Sequence, residues 1–206
     1  MKLFRRNRAP VKANGDDEVV SHRLTLDLAR ADKFAAMVAN SRASRVVEVA
    51  DLLAGMYIYN WERLSRYWGA DDQERVEEIL RHMCEISPAR WNAWIQQYDK
   101  QRRSGGSRLS SLPLLRKLEK ASKVEPPLQR STELTGILKQ AESIAPFHDD
   151  AGGKNIPILT SECVLLCIVR NRQSQISRKL AASGLNVPQL ERDALSSRRS
   201  PRGPQN

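Results

Sequence analysis

Apolar residues recur at intervals of three and four along most of the chain, a spacing that places them on one face of an α-helix. The pattern begins near residue 21 and predicts helices over about residues 24–38, 46–59, 62–68 and 72–83. A Ser-Pro pair at residues 87–88 predicts a further helix over 88–103, because Ser caps helices and Pro suits the first helical position.

The same order of helices returns in the second half, where the pattern predicts helices over about residues 131–141, 160–169, 175–182 and 188–195. Each half has an amphipathic helix, a very apolar helix, a short helix before Gly69 or Gly184, and a closing helix. A repeated unit of this kind buries faces on its neighbour, which predicts an all-α fold built from one unit used twice. Residues 156–160 resemble a strand, but we expect none because no partner strand is evident.

These patterns divide the chain into five segments. They are a flexible basic arm (1–19), a first unit (20–84), a linker carrying the extra helix 88–103 (85–130), a second unit (131–196) and a flexible basic tail (197–206). Within the linker, residues 104–111 form a Ser/Gly-rich break and residues 113–123 predict a short amphipathic helix.

The formal net charge of +10 favours an acidic partner, such as a nucleic acid, an anionic membrane or an acidic protein surface. Basic residues crowd the arm and the tail, which is typical of solvated segments. A basic helical nucleic-acid-binding protein is therefore the alternative to a protein-binding module.

Three cysteines among 206 residues are too few and odd in number for a disulfide framework, which favours a reducing compartment. No apolar run approaches the roughly 20 residues of a membrane span. The basic start lacks the apolar stretch of a secretory signal, so we expect a cytoplasmic protein that does not bind membranes. A transit peptide is the alternative interpretation of the arm, since residues 2–14 contain no acidic residue.

The segment from Ile158 to Val169 reads Ile-Leu-Thr-Ser-Glu-Cys-Val-Leu-Leu-Cys-Ile-Val. It resembles the Thr-x-Glu-His-Leu-Leu-Leu-Ala-Leu-Leu signature of the Clp ATPase N-terminal domain, also called the Clp R or Clp-N repeat domain. A short helix, the run from Gly184 to Val187, and then Leu190 and Leu195 continue the resemblance, which covers residues 20–84 and 131–196.

The resemblance implies two tandem four-helix repeats related by a pseudo-twofold axis, with an inserted linker helix. It also implies a non-enzymatic interaction module that binds a Clp-type chaperone or protease core, an adaptor or a client protein. The chain departs from the pattern at Cys163, which takes the place of the His, and at Val47 and Val49, which take the Thr and Glu places of the first repeat. The run 152–155 resembles part of a phosphate-binding loop, but it lacks the first Gly and the final hydroxyl of that motif. With no ATPase motif evident, we expect a stand-alone domain.

Glu162 stands at the predicted start of the apolar helix, where a carboxylate favours the helix dipole. With Thr160 or Ser161 before it, helix capping is the simplest role of this segment. The resemblance implies a second role, since in some family members this Glu and a Thr opening the repeat's first helix bind arginine-modified substrates. The matching positions here are Glu162 with Ser131 or Thr132.

Trp91, Trp94 and Tyr98 share one helix face, with Arg102 among the flanking basic residues. The stripe is interpreted either as packing of the extra helix on the domain or as an exposed contact for a protein partner, for which aromatic anchors with a basic rim are suitable. Base stacking with phosphate pairing is a third interpretation.

No residue set favours catalysis, a metal or a cofactor. Cys163 and Cys167 share a helix face near His148, but they lie in the most apolar helix and lack a second ligand pair, so we predict buried core residues. His82 and Cys84 are two residues apart and point in different directions. The paired carboxylates at 16–17, 71–72, 77–78 and 149–150 fit loops and exposed helix faces.

Overall fold

The structure, a computed structural model, describes residues 23–69, 72–103, 128–149 and 155–196. Helices dominate these ranges, which confirms the predicted all-α character. They are α1 (Leu26–Ser41), α2 (Val49–Leu64), α3 (Gln73–Met83), α4 (Pro88–Arg103), α5 (Thr132–Ile144), α6 (Ser161–Arg170), α7 (Gln175–Ala182) and α8 (Val187–Ser196). Five short strands accompany them: β1 (Arg23–Leu24), β2 (Val46–Val47), β3 (Gln129–Arg130), β4 (Phe147–Asp149) and β5 (Asn155–Leu159).

Two central helices, α2 and α6, form the middle of the core and contact each other. Every residue of α2 from Val49 to Ile58 is buried, and so is every residue of α6 from Ser161 to Val169. The surrounding helices bury only one face; in α3, for example, only Val76 and Leu80 are buried. This division follows the sequence, because the two most apolar segments occupy the two positions that have neighbours on all sides.

Helices α1 and α2 approach closely at Gly55. A Cβ atom added there would lie only 2.2 Å from the backbone oxygen of Ala31 in α1, a residue that is fully buried. The missing side chain therefore allows the two backbones to touch. Gly184 has a different role, because its φ of +85° gives it the left-handed conformation that ends α7, the short helix predicted to precede it.

The short strands join the two halves of the chain in a reciprocal pattern. Strand β1, which precedes α1, pairs in parallel with β5, which precedes α6. Strand β2, which precedes α2, pairs in parallel with β3, which precedes α5. The start of α1 therefore lies beside the start of α6, and the start of α5 lies beside the start of α2.

The expectation that residues 156–160 form no strand is wrong. Strand β5 pairs with β1 on one side and, in antiparallel register, with β4 on the other, so that Phe147 faces Pro157. Residues 147–149 and 155–157 face each other in this antiparallel pair.

Three helix boundaries also differ from the predicted ones. Leu24 lies in β1 rather than in the first helix, and residues 46–47 form β2 before α2 begins at Val49. The predicted separate helix over 62–68 is the end of α2 followed by a single 3-10 turn at Ser65–Tyr67. Within the described residues, no helix is both long enough and apolar enough to cross a membrane. The arm, the tail and the predicted helix over 113–123 lie outside those residues.

Candidate functional site

Glu162 lies in the first turn of α6, where the sequence places it. The hydroxyl of Thr160 caps this helix by accepting a hydrogen bond from the backbone N–H of Cys163 at 3.3 Å, which confirms the predicted capping role. The side chain of Glu162 is only 3% exposed. A nearly buried carboxylate needs a cationic partner or hydrogen bonds to balance the loss of hydration.

Two arginines from the end of α2 supply that balance. The Nε atom of Arg63 forms a close ion pair with Oε1 of Glu162, and Nη2 of Arg66 lies 3.4 Å from the same oxygen. Arg66 also lies 3.4 Å from Oδ2 of Asp193 in α8 and donates to the hydroxyl of Tyr67. This cluster ties together the end of α2, the start of α6 and α8.

The other carboxylate oxygen of Glu162, Oε2, is buried without a hydrogen-bond partner among the described residues. Both arginines keep about half of their side-chain surface exposed. The cluster can therefore hold a guanidinium group, and in this structure the guanidinium groups are those of Arg63 and Arg66. An arginine-bearing ligand at Glu162 would meet Arg63 and Arg66 already paired with Oε1.

Ser131 and Thr132 do not join Glu162. Ser131 caps α5 by accepting from the N–H of Leu134, and its own N–H donates to the carbonyl of Val47, beside the start of α2. Glu133, two residues after Ser131, accepts from Asn171 at the far end of α6. Asn171 is nine residues after Glu162, about 14 Å along the helix axis. Ser131 and Thr132 therefore lie at the start of α5, away from Glu162, because the strand pairing crosses between the halves.

The start of α2 carries a buried ion pair that the sequence analysis missed. Asp51 is fully buried, and both of its oxygens lie 2.7 Å from Nη2 of Arg42. Asp51 also accepts from the N–H of Glu48 in a capping box. Burial raises the pKa of this carboxyl, although Arg42 and the Glu48 hydrogen bond act in the opposite direction. The signal was present in the sequence as a lone carboxylate three residues into an otherwise apolar stretch.

Val47 and Val49 were expected at the Thr and Glu places of the first repeat. Aligning α2 and α6 on their cap residues shifts this correspondence by one position. Glu48 then stands opposite Thr160, and Ala50 stands opposite Glu162. Val47 and Val49 are therefore not the counterparts of the Thr and the Glu. The first half still lacks the carboxylate, because Ala50 has none.

The stripe on α4 packs on the domain, as one of its three interpretations proposed. Trp91 is fully buried with its ring 5.5 Å from that of Tyr57, so the expectation that it presents a surface to a partner is wrong. Trp94 packs edge-on against Phe34 and is half-buried. Tyr98 is half-buried as well, and nothing is described of the Arg102 side chain.

The aromatic side chains form one large cluster between α1, α2 and α4. Eight of the eleven aromatic residues of the chain belong to it, arranged as two series of ring contacts. The series are Trp94, Phe34, Tyr59, Tyr98 and Trp91, Tyr57, Trp61, Trp68. A groove of about 250 Å³ lies where the two series meet, between the end of α2 and the middle of α4.

The three cysteines are buried, which confirms the prediction that Cys163 and Cys167 are core residues. Burial raises the pKa of the Cys167 thiol to about 11 and also raises the pKa of Cys163 and Cys84. These thiols therefore stay protonated near neutral pH, and the most reactive form of a cysteine is suppressed.

In the part of the chain that the structure describes, no group of three or more His, Cys, Asp and Glu residues is arranged to hold a metal ion. Glu77 and Glu78 lie on α3 beside Arg81 in a wide surface depression. Glu77 accepts from the hydroxyl of Tyr57 at 3.1 Å. The other predicted carboxylate pairs fall partly or wholly outside the described residues. Comparison with models of known protein families finds no match to this chain, and comparison with curated protein sequences finds none either.

Proposed function

We propose that the chain is a non-enzymatic protein–protein interaction module of the Clp N-domain type, made of two tandem four-helix repeats. It would bind a Clp-type chaperone or protease, an adaptor or a client protein. The observation that carries this proposal is the reciprocal pairing of the short strands.

The reciprocal pairing supports a pseudo-twofold axis. In each half, the strand before the first helix pairs with the strand before the second helix of the other half. The backbone contacts agree in detail, since the N–H of Thr25 donates to Leu159 and the N–H of Ser131 donates to Val47, each at 3.0 Å. An axis relating α1 to α5 and α2 to α6 would exchange these two contacts.

The segment that resembles the family signature supports the same proposal. Residues 161–170 form one capped and almost wholly buried helix, α6, and α2 matches it in burial and in its place at the centre. Gly184 then ends the following helix in the left-handed conformation.

The charge distribution favours a protein partner over a nucleic acid. The described residues contain 20 Lys and Arg against 17 Asp and Glu, a difference of +3, whereas the whole chain carries +10. The excess that motivates the alternative therefore lies mainly outside the described surface. A nucleic-acid-binding surface usually concentrates basic residues on one face.

The test is purification of the tagged full chain from its own cells after mild crosslinking, with and without nuclease treatment, followed by quantitative mass spectrometry. We expect enrichment of a Clp-type ATPase, protease subunit, adaptor or client that survives nuclease treatment. Consistent absence of such proteins, together with salt-sensitive binding to DNA or RNA in the micromolar range, would refute the proposal and favour the alternative.

A further inference from the structure

The outer edge of strand β4 carries backbone groups that the sheet does not pair. In the order β1-β5-β4, strand β4 stands at one edge, and the N–H of Ile158 in β5 donates to the carbonyl of Pro146 at 2.9 Å. Hydrogen-bonded and non-hydrogen-bonded residue pairs alternate along antiparallel strands, so the backbone groups of His148 face β5. Those of Phe147 and Asp149 therefore point away from the sheet, and no strand of the described residues lies beside them.

An exposed aromatic side chain stands on the same edge. Phe147 and Leu26 are the two large hydrophobic residues that the described part of the chain leaves exposed, at 54% and 51%. Leu26 follows β1, at the opposite edge of the sheet, whereas Phe147 belongs to β4 itself. An unpaired strand edge is a template for pairing with another chain, and an aromatic ring beside it adds apolar contact area.

The chemistry of this edge determines the kind of partner that fits it. N–H and C=O groups at strand spacing are matched by the backbone of another extended segment, which in antiparallel register would exchange two hydrogen bonds with Phe147 and two with Asp149. The residue opposite Phe147 would lie on the same face as its ring, where β-branched and aromatic side chains form favourable cross-strand pairs. The net charge of +10 disfavours a second copy of the chain, because two such chains repel each other.

We propose that the outer edge of β4 binds an extended segment of a partner protein by strand addition, with a β-branched or aromatic residue of that segment against Phe147. The inference rests on the proposed function only in that the partner is a protein. Because β4 and β5 connect α5 to α6, the added strand would extend the sheet and leave the buried helices in place.

The test titrates the full chain with the peptide acetyl-Thr-Val-Thr-Val-Thr-amide and, separately, with the same peptide methylated on every backbone nitrogen, which keeps the side chains and removes the donors. Backbone amide signals in NMR spectra report binding, hydrogen exchange and an intact fold. We expect saturable shifts and slower exchange at the N–H of Phe147, with little change at the N–H of His148, which already faces β5. The methylated peptide should bind at least roughly tenfold more weakly, the effect of losing two hydrogen bonds.

Variants separate this edge from general apolar attraction. Phe147→Ala should weaken binding of the unmethylated peptide about threefold, whereas Leu26→Ala, which removes a similarly exposed side chain at the other edge, should leave it unchanged. Equal binding of the two peptides, equal effects of the two variants, or unchanged exchange at Phe147 would overturn the assignment.

Sedimentation velocity of the chain without peptide tests the other occupant. We expect no self-association that depends on Phe147; dimers that Phe147→Ala abolishes would assign the edge to a second copy and overturn the proposal. None of these results would alter the partner-purification experiment, which identifies partners without assigning the surface that holds them.

Discussion

Substitution of Gly55 by Ala tests the contact on which the packing of the first half depends. The new methyl group would lie 2.2 Å from the carbonyl oxygen of Ala31 and 2.9 Å from its carbonyl carbon and Cα. All three atoms belong to the backbone of α1, so no side-chain rotation relieves the clash. Helices α1 and α2 would have to separate by about 1 Å to restore ordinary van der Waals contact.

The expected cost follows from two opposing effects. Overpacking of this kind costs about 3 kcal/mol, the upper end of the usual range, because a backbone must move. The higher helix propensity of Ala returns about 1 kcal/mol. We therefore expect a net loss of about 2 kcal/mol in the free energy of unfolding, or a Tm lower by about 4–8 °C for a chain of this size.

Gly136 in α5 provides the matched control, since a Cβ added there meets nothing within 4 Å. Gly136→Ala should raise the free energy of unfolding by about 0.5–1 kcal/mol. Both variants are measured by urea denaturation and by thermal unfolding followed by circular dichroism. If Gly55→Ala is as stable as Gly136→Ala, the close approach of α1 and α2 at this point is wrong.

Four further predictions concern the ion pairs, the turn after α7, the thiols and the pH dependence of the Tm. Asp51→Asn leaves Arg42 without its charge partner in a buried site and should cost about 3–5 kcal/mol in urea denaturation. Asp32→Asn breaks the partly exposed pair with Arg130 and should cost less than about 1 kcal/mol; equal losses would contradict the difference in burial. Gly184→Ala forces a left-handed backbone on Ala and places its Cβ 2.7 Å from a carboxylate oxygen of Asp72, so a loss of about 1–2 kcal/mol is expected, and an unchanged Tm would argue against that conformation. All three thiols should resist a disulfide reagent in the native state and react in denaturant. Burial raises the folded-state pKa of Cys167 to about 11 and the pKa values of Tyr59 and Tyr67 to about 12. The unfolded chain therefore loses these protons at a lower pH than the folded chain. As a result, the Tm should fall as the pH rises above about 9. A constant or rising Tm between pH 8 and 10.5 would contradict the burial.

Features that depend on neighbouring residues could be predicted from the sequence. The span of α4 agrees with the prediction because the Ser87-Pro88 pair is a local start signal. The cap at Thr160 and the left-handed Gly184 also follow from residues within one helical turn. The division after Tyr59 was wrong, because no Gly or Pro interrupts the chain there and α2 continues to Leu64.

Features that depend on distant residues could not be predicted in the same way. Strand β5 was missed because its partners are too short to leave an alternating pattern: β4, close by, has three residues, and β1, about 130 residues earlier, has two. The arginine partners of Glu162, Arg63 and Arg66, could not be predicted either, because they come from the other half of the chain. The stripe on α4 was correctly identified as a shared face, but only packing against Tyr57 decides that Trp91 points inward.

The most direct test of the central claim is the affinity of the purified full chain for a purified Clp-type ATPase or protease from its own cells, measured by fluorescence anisotropy over a range of salt concentrations. The proposed module predicts saturable binding with a defined stoichiometry that persists at physiological salt. No saturable binding to the Clp-type protein, with tight and steeply salt-dependent binding to nucleic acid instead, would contradict it.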